Sequence, residues 1–340
     1  MLNKVCNIGD QLVAPNSKRY VIAEVGSNSN QDLNTAKRLI DIAVNAKANA
    51  VKFQLFKADV LYPNQDGLYE VFKTLELNPT WVPILSKYAL RQGIEFMASA
   101  FDKESVDILE SVEVPAHKVA SSEVTDLAFV HYVASKGRPV IISTGMCDMV
   151  DVEEVVNVCL AAGNSQVIPL QCGSLYPLPA DQVHLRVIST LQDRFSCPVG
   201  FSDHTRGQIA ATTAVALGAA IFEKHFTLDR SMEGPDHFYA LEPDELSSYV
   251  AAIHEAHESL GSPLKNILPD EKTNGRRKGL YATRNLIEGE TISPTDLIEK
   301  RPALGIRGRY YSLVIGATLT RPILSDEPIF WDAITFITKK

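Results

Sequence analysis

The stretch that decides the fold is Pro198-Val199-Gly200-Phe201-Ser202-Asp203-His204, followed by a helical pattern over 207–217 and then Ile221-Phe222-Glu223-Lys224-His225. Two short apolar runs flank an amphipathic segment, and each closes on polar residues ending in a histidine. Such runs without period-2 alternation read as strands buried on both faces. Strand, helix and strand in succession imply a parallel pair joined by a right-handed crossover.

Working outward, the same unit recurs. Eight runs read as strands: 20–25, 50–54, 94–99, 117–120, 139–144, 166–172, 198–201 and 221–225. Helical patterns lie between them, for example over 33–45, 81–92 and 152–162, with Asp151 and Thr125/Asp126 as expected helix starts. Eight alternations over about 210 residues predict a closed (β/α)8 TIM barrel rather than an open doubly wound sheet. No GxGxxG follows any strand, which argues against a dinucleotide site. The long connection 56–80 is expected to be an active-site loop. A pattern over 245–260 would be the last barrel helix, after which Pro263, Pro269 and Gly275 mark a linker. The expected division is therefore a barrel over 1–262, a linker over 263–278 and a small β-rich domain over 279–340.

Composition narrows the function. The 340 residues carry a formal charge of −8 with the acidic groups dispersed, which excludes nucleic acid and an anionic membrane surface as main partners. Cys6, Cys147, Cys159, Cys172 and Cys197 are odd in number and show no CxxC spacing. With no apolar leader at the start, they point to a reduced, cytoplasmic setting. No apolar run approaches the roughly 18 residues needed to span a bilayer.

In such a barrel the chemistry gathers where the strands end. Here Glu24, Lys52 with Gln54, Ser121 with Glu123, Ser174, Ser202 with Asp203, and Glu223 with His225 stand at corresponding places. His204 and His225 fall near the ends of adjacent strands and suit a divalent cation, Mn2+ or Mg2+, with Glu24, Asp203, Glu123 or water as further oxygen ligands. Lys52 and Lys118, with no evident partner carboxylates, suit a phosphate or carboxylate ligand. Ser99, Ser143, Ser174 and Ser202 could add neutral donors. The plainer alternatives are one structural and one solvated histidine, and lysines paired with Glu24 and Glu123 in a structural network.

At this point a resemblance enters. Ala23-Glu24-Val25-Gly26-Ser27-Asn28-Ser29-Asn30, Val51-Lys52-Phe53-Gln54, Lys118-Val119-Ala120-Ser121-Ser122-Glu123, Ser143-Thr144-Gly145-Met146, Gly200-Phe201-Ser202-Asp203-His204-Thr205, Glu223-Lys224-His225-Phe226-Thr227 and Gly234-Pro235-Asp236-His237 resemble the sialic acid synthase family. Arg276-Arg277, Leu280-Tyr281-Ala282, Lys300-Arg301-Pro302 and Gly305-Ile306 are similar to its appended antifreeze-like (SAF) domain. The likeness runs in order over about residues 18–335.

The resemblance implies a metal-assisted condensation of phosphoenolpyruvate (PEP) with N-acetylmannosamine or a related acylamino sugar. The product would be a nonulosonic, sialic-type acid, with phosphate leaving by C–O cleavage. It implies His204 and His225 as metal ligands, and Lys52, Lys118 and Ser202 as holders of phosphate and carboxylate. Glu24 would face the sugar and the metal's water, while Glu123, Tyr176 and Asp236 would line the site. Arg301 matches the arginine that the small domain presents to the partner's barrel, so a domain-swapped homodimer is implied as well.

Ser29 departs from the family's Asn-His-Asn, Ala98-Ser99-Ala100-Phe101 from its Ser-Thr-Pro-Phe, Gln171-Cys172-Gly173-Ser174 from its His-Cys-Thr, and Ser121-Ser122-Glu123 from its Ser-Gly-Glu. The departures fall in loops expected to touch the sugar, so legionaminate and pseudaminate synthesis stand beside N-acetylneuraminate. A pyruvate-using aldolase or lyase, imine chemistry at Lys118 and an inactive sugar-binding barrel are the remaining alternatives.

Overall fold

The chain opens with a hairpin, β1 Cys6–Ile8 against β2 Gln11–Val13, turned at Gly9 with φ of 56°. In this computed structural model, which describes residues 1–274 and 276–336, eight parallel strands then close into a barrel. They are β3 Tyr20–Gly26, β4 Ala50–Leu55, β5 Glu95–Ala100, β6 His117–Val119, β7 Val140–Ser143, β8 Val167–Cys172, β9 Gly200–Asp203 and β10 Ile221–His225. Closure is made by β10 pairing with β3, with His225 beside Glu24. All eight runs read from the sequence are strands of this barrel.

The connections carry α1 Leu33–Asn45, α2 Ala58–Leu61, α3 Gly67–Lys73, α4 Val82–Gln92, α5 Lys103–Ser111, α6 Leu127–Ala134, α7 Met149–Ala161, α8 Val187–Phe195, α9 Ile209–Ala216 and α10 Pro243–Leu260. The 56–80 connection, expected as an active-site loop, carries α2 and α3. One expectation needs correction here. Helix α7 begins at Met149 rather than Val152: the Asp148 carboxylate accepts from the backbone of Val150 and Asp151, and Asp151 reaches back to the Asp148 N–H. Asp151 is thus the third residue of a capping box, not the cap.

Side-chain alternation along the strands sorts the barrel wall into two cores. Outward residues such as Val21, Val51, Val140 and Phe222 meet the helices. Inward residues Tyr20, Ile22, Ala50, Met97, Ile141, Ile168, Leu170 and Ile221 form a second cluster inside, which Cys6, Ile8 and Val13 of the hairpin join. The hairpin therefore plugs one end of the barrel. Two positions further along each strand the inward residue turns polar or sulfur-bearing: Ile22 gives way to Glu24, Ala50 to Lys52, Met97 to Ser99, Ala116 to Lys118, Ile141 to Ser143, Leu170 to Cys172 and Ile221 to Glu223. On β9 the step is Gly200 to Ser202; a Cβ at Gly200 would lie 2.4 Å from Leu170 and 2.6 Å from the Ile221 carbonyl.

The chain divides into two units, with the break after Gly261. Within the expected linker, α11 Pro269–Asn274 is helical; Gly275 lies outside the described residues, as do positions 337–340 of the small domain. The second unit pairs β11 Gly279–Ala282 with β12 Leu297–Lys300, and β13 Thr318–Leu319 with β14 Ile334–Thr335. A short helix, α12 Tyr311–Val314, precedes β13. Leu280, Ile292, Ile306, Val314, Ile323 and Ile329 give this unit its own core.

Candidate active site

The polar ends of the strands surround a cavity of about 470 Å3. Its lining includes Glu24, Lys52, Gln54, Ser99, Lys118, Ser121, Glu123, Ser143, Ser174, Tyr176, Ser202, His204, His225 and Asp236. Arg301 belongs to the second unit, exposed just after β12. A larger groove of about 1400 Å3 runs along the segment after β8, but neither lysine nor either strand-end histidine lines it. The chemistry therefore belongs to the smaller cavity.

At its floor sits a buried charge network. Lys52 Nζ is 2.7 Å from Glu24 Oε2 and 3.7 Å from Glu223 Oε2, and it donates to Ser99 Oγ at 2.8 Å. Lys118 Nζ donates to the Val119 carbonyl and stands 3.8 Å from Glu223 Oε1. Gln54 Nε2 donates to Glu24 Oε1, and Ser202 Oγ to Glu223 Oε1. The lysines thus do have carboxylate partners, which corrects the expectation of none. The partners are Glu24 and Glu223, whereas Glu123 accepts from the Ser122 hydroxyl. Burial alone would raise Glu223, but Lys118 and Lys52 together hold it at about 2. Glu24 shares only Lys52 at close range, and burial pushes it up to about 7. Burial works against the Lys52 ammonium, yet Glu223 and Glu24 raise it above its ordinary value. The close pair is pulled in opposite senses because one ammonium faces two carboxylates; we take Glu223 as the fixed anion and Glu24 as the member able to hold a proton. Burial lowers Lys118 and raises Glu123. The Ser143 hydroxyl is buried with no partner among the described residues.

The histidines face this floor from adjacent strands, with ring centroids 5.6 Å apart. Nδ1 of His204 is 2.7 Å from the Gly173 carbonyl, which can only accept, so that nitrogen carries a proton; burial works against the charged ring, but the Cys172 thiol and this carbonyl raise its pKa above the ordinary imidazole value. Nδ1 of His225 is buried without a partner among the described residues, and burial drives the ring pKa down to about 3, so it is neutral. Two imidazoles facing one cavity fit a divalent cation, which would bind at the expense of any second proton on His204. Among the described residues no group of three His, Cys, Asp or Glu could hold one alone, so further positions would fall to solvent or substrate.

Asp203 corrects another expectation. It is one residue out of phase with Ser202 and points away from the cavity, where it accepts from Tyr249 Oη and the Thr205 amide and pairs with Lys224 at 3.2 Å. The same alternation on β10 sends Glu223 and His225 inward and Lys224 outward. Among the further lining residues, Cys172 and Tyr239 went unselected by sequence reasoning, and Glu223 was noted for its place on the strand without a role. Glu223 was legible, since it precedes His225 by two on one strand. Tyr239, whose hydroxyl donates to Asp236 at 2.8 Å, lies in an irregular loop that carries no periodic signal.

Around the rim, Asp236 Oδ2 accepts from the Ser27 amide and hydroxyl at 3.0 and 2.8 Å. Gly26, at φ of 58°, permits this approach: a Cβ there would lie 2.6 Å from Asp236 and 3.1 Å from His225. The opposite wall is aromatic. The Phe56 ring stands 5.7 Å from Phe101 and 5.6 Å from Phe72 of the α2–α3 insertion, and the Tyr62 ring lies 4.8 Å from that of Phe72.

Comparison with known proteins places this geometry. Residues 39–265 match the model of the NeuB family, and residues 277–335 match that of the SAF domain. The chain is 39% identical over 337 residues to the N,N'-diacetyllegionaminic acid synthase of Legionella pneumophila, covering 93% of this chain and 94% of that protein. It is 35% identical over 296 residues to the N-acetylneuraminate-9-phosphate synthase of Homo sapiens, covering 82% of each. Among solved structures, the sialic acid synthetase of Leptospira borgpetersenii superposes with a TM-score of 0.75 at 30% identity, covering 80% of this chain and 95% of that one.

Proposed function

The chain belongs to the NeuB family and is an enzyme of the N-acetylneuraminate synthase type, and we propose that it condenses PEP with an open-chain acylamino sugar to give a nonulosonic acid and phosphate. The observation that carries the reading is the pairing, in one cavity, of a lysine–serine floor with two histidines from adjacent strands. Lys52 and Lys118 supply fixed positive charge for the anionic groups of PEP, and Ser99, Ser143 and Ser202 supply neutral donors. Ser143 Oγ is buried and has no hydrogen-bond partner among the described residues, so it is a donor free for a ligand.

In the reaction, C3 of the enol forms a bond to the sugar's aldehyde carbon, water adds at C2, and the C2–O bond to phosphate breaks, with the electron pair leaving on phosphate. His204 and His225 would hold a divalent cation, Mn2+ or Mg2+, whose chemistry is Lewis-acid polarisation of the aldehyde. Glu24, pushed to about 7, is placed to take or give the proton of the attacking water or the new hydroxyl. Gln54 orients it. Glu123 and Tyr176 wall the cavity, and Asp236 offers an acceptor to the sugar.

A 2,4-diacetamido sugar is the acceptor we favour over N-acetylmannosamine. The aromatic wall of Phe56, Tyr62, Phe72 and Phe101 suits acyl methyl groups better than bare hydroxyls, and the 39% relative is named for an N,N'-diacetylated product. Arg301 would serve the barrel of a second copy in a domain-swapped homodimer, in keeping with its exposure. A cytoplasmic setting accords with five free cysteines. The test is incubation with PEP, Mn2+ and a panel of 2-acetamido and 2,4-diacetamido sugars, with mass spectrometry of the products. A product one PEP-derived three-carbon acid heavier than its sugar is expected; absence of phosphate release with every sugar would refute the reading.

A further inference from the structure

The loops after β3 and β10 are stitched together by a set of hydrogen bonds that the chemistry above does not use. Asn28 Nδ2 donates to the Phe226 carbonyl at 2.9 Å, and Asn30 Nδ2 to the Glu233 carbonyl at 3.1 Å. Between them lies His237, fully buried, with Nδ1 2.6 Å from Thr227 Oγ1 and Nε2 3.0 Å from Asn30 Oδ1. The directions follow from one another. Because the Asn30 amide nitrogen donates to a carbonyl, its oxygen is the acceptor, so His237 Nε2 carries the proton. Burial lowers the ring's pKa and keeps it neutral, so Nδ1 accepts from the Thr227 hydroxyl. Thr227 Oγ1 in turn accepts from the Asp229 amide at 3.2 Å. The loop is shaped for this ring: Gly234 lies at φ of 144°, and a Cβ there would lie 2.8 Å from His237 Cδ2.

The residue before His237 is Asp236, fixed at the cavity wall by Ser27 and Tyr239. An aspartate there repels an anion and attracts hydroxyl or amide N–H donors, so it serves a neutral sugar rather than PEP. We propose that His237, held between Thr227 and Asn30, is a positioning residue that fixes Asp236 and thereby sets affinity for the acceptor sugar and not for PEP. This rests on the synthase reading.

Asn30 gives the cleanest test. It is exposed and sits at φ of 48°, so Asn30→Gly keeps the backbone while removing the acceptor for His237. Asn30→Asp keeps an acceptor oxygen. Steady-state kinetics on the full chain, with each substrate varied in turn, should show the KM for the sugar rising about five- to tenfold in Asn30→Gly. The KM for PEP should stay within about twofold, and Asn30→Asp should recover most of the loss. Equal rises in both KM values, or a lowered melting temperature with the sugar KM unchanged, would overturn the positioning role. So would an Asn30→Asp variant as impaired as Asn30→Gly. Wild-type protein that releases no phosphate with any sugar would instead overturn the synthase reading beneath it.

Discussion

Lys52 shows how much of the site a single residue can carry and how little of that a lone lysine discloses. Its place on β4 was legible from the Val51-Lys52-Phe53-Gln54 run, and Glu24 on the preceding strand stood as one possible partner, but Glu223 did not, because β10 is far away in sequence. Replacing it leaves two carboxylates buried without their shared cation. Lys52→Met is expected to lower stability by about 3–5 kcal/mol in urea unfolding. Lys52→Met with Glu24→Gln should cost less than the sum of the two single changes, because the second substitution removes a charge the first stranded. Strict additivity would mean that the 2.7 Å contact does not couple them. Asp203 teaches the converse. Its sequence neighbours Ser202 and His204 both line the cavity, yet Asp203 does not, since adjacent residues on a strand face opposite sides. Counting by two from His225 or Ser202 would have found Glu223 and set Asp203 aside.

At the scale of elements, the eight strands were readable because burial on both faces leaves continuous apolar runs, and α1 because its periodic face runs for thirteen residues. Helices α2 and α3 were not: four and seven residues are too short for a 3.6-residue period to declare itself. The start of α7 was missed because two aspartates three apart each resemble a cap, and only the hydrogen bonds tell them apart. Asp148→Ala should therefore cost about 1 kcal/mol of stability by urea unfolding. A value near zero would show that Asp151 suffices. Strand β6 supplies a pH dependence. His117 is buried, with Nε2 2.7 Å from Glu110, and burial lowers its pKa below the ordinary imidazole value of about 6.5. The unfolded chain then binds the proton at a higher pH than the folded one. Stability is fully present above about 6.5 and falls as pH drops below it. His117→Gln should lose less stability between about pH 7 and 5.5 than the wild type, measured by urea midpoints. An identical slope would assign the acid sensitivity to other groups.

For the whole molecule, the barrel and the small domain each have a core, and the break after Gly261 separates them. Alternation of strands and helices made the barrel legible, but many chemistries share that fold. The two-residue step from apolar to polar along nearly every strand is what makes it a site, and it needed the register to be seen. Arg301 was marked by resemblance alone: nothing in its own exposed turn distinguishes it. If it serves the sugar, Arg301→Ala should raise the KM for the sugar roughly tenfold or more while leaving that for PEP in place, and unchanged kinetics would leave the small domain an appendage. The central claim is the reaction itself. Its most direct test uses PEP carrying a heavy-oxygen label in the bridging ester oxygen, with the sugar panel and Mn2+, followed by the mass of the phosphate released. Condensation with C–O cleavage predicts that the label leaves on phosphate. Phosphate without the label, or no phosphate at all, would contradict it.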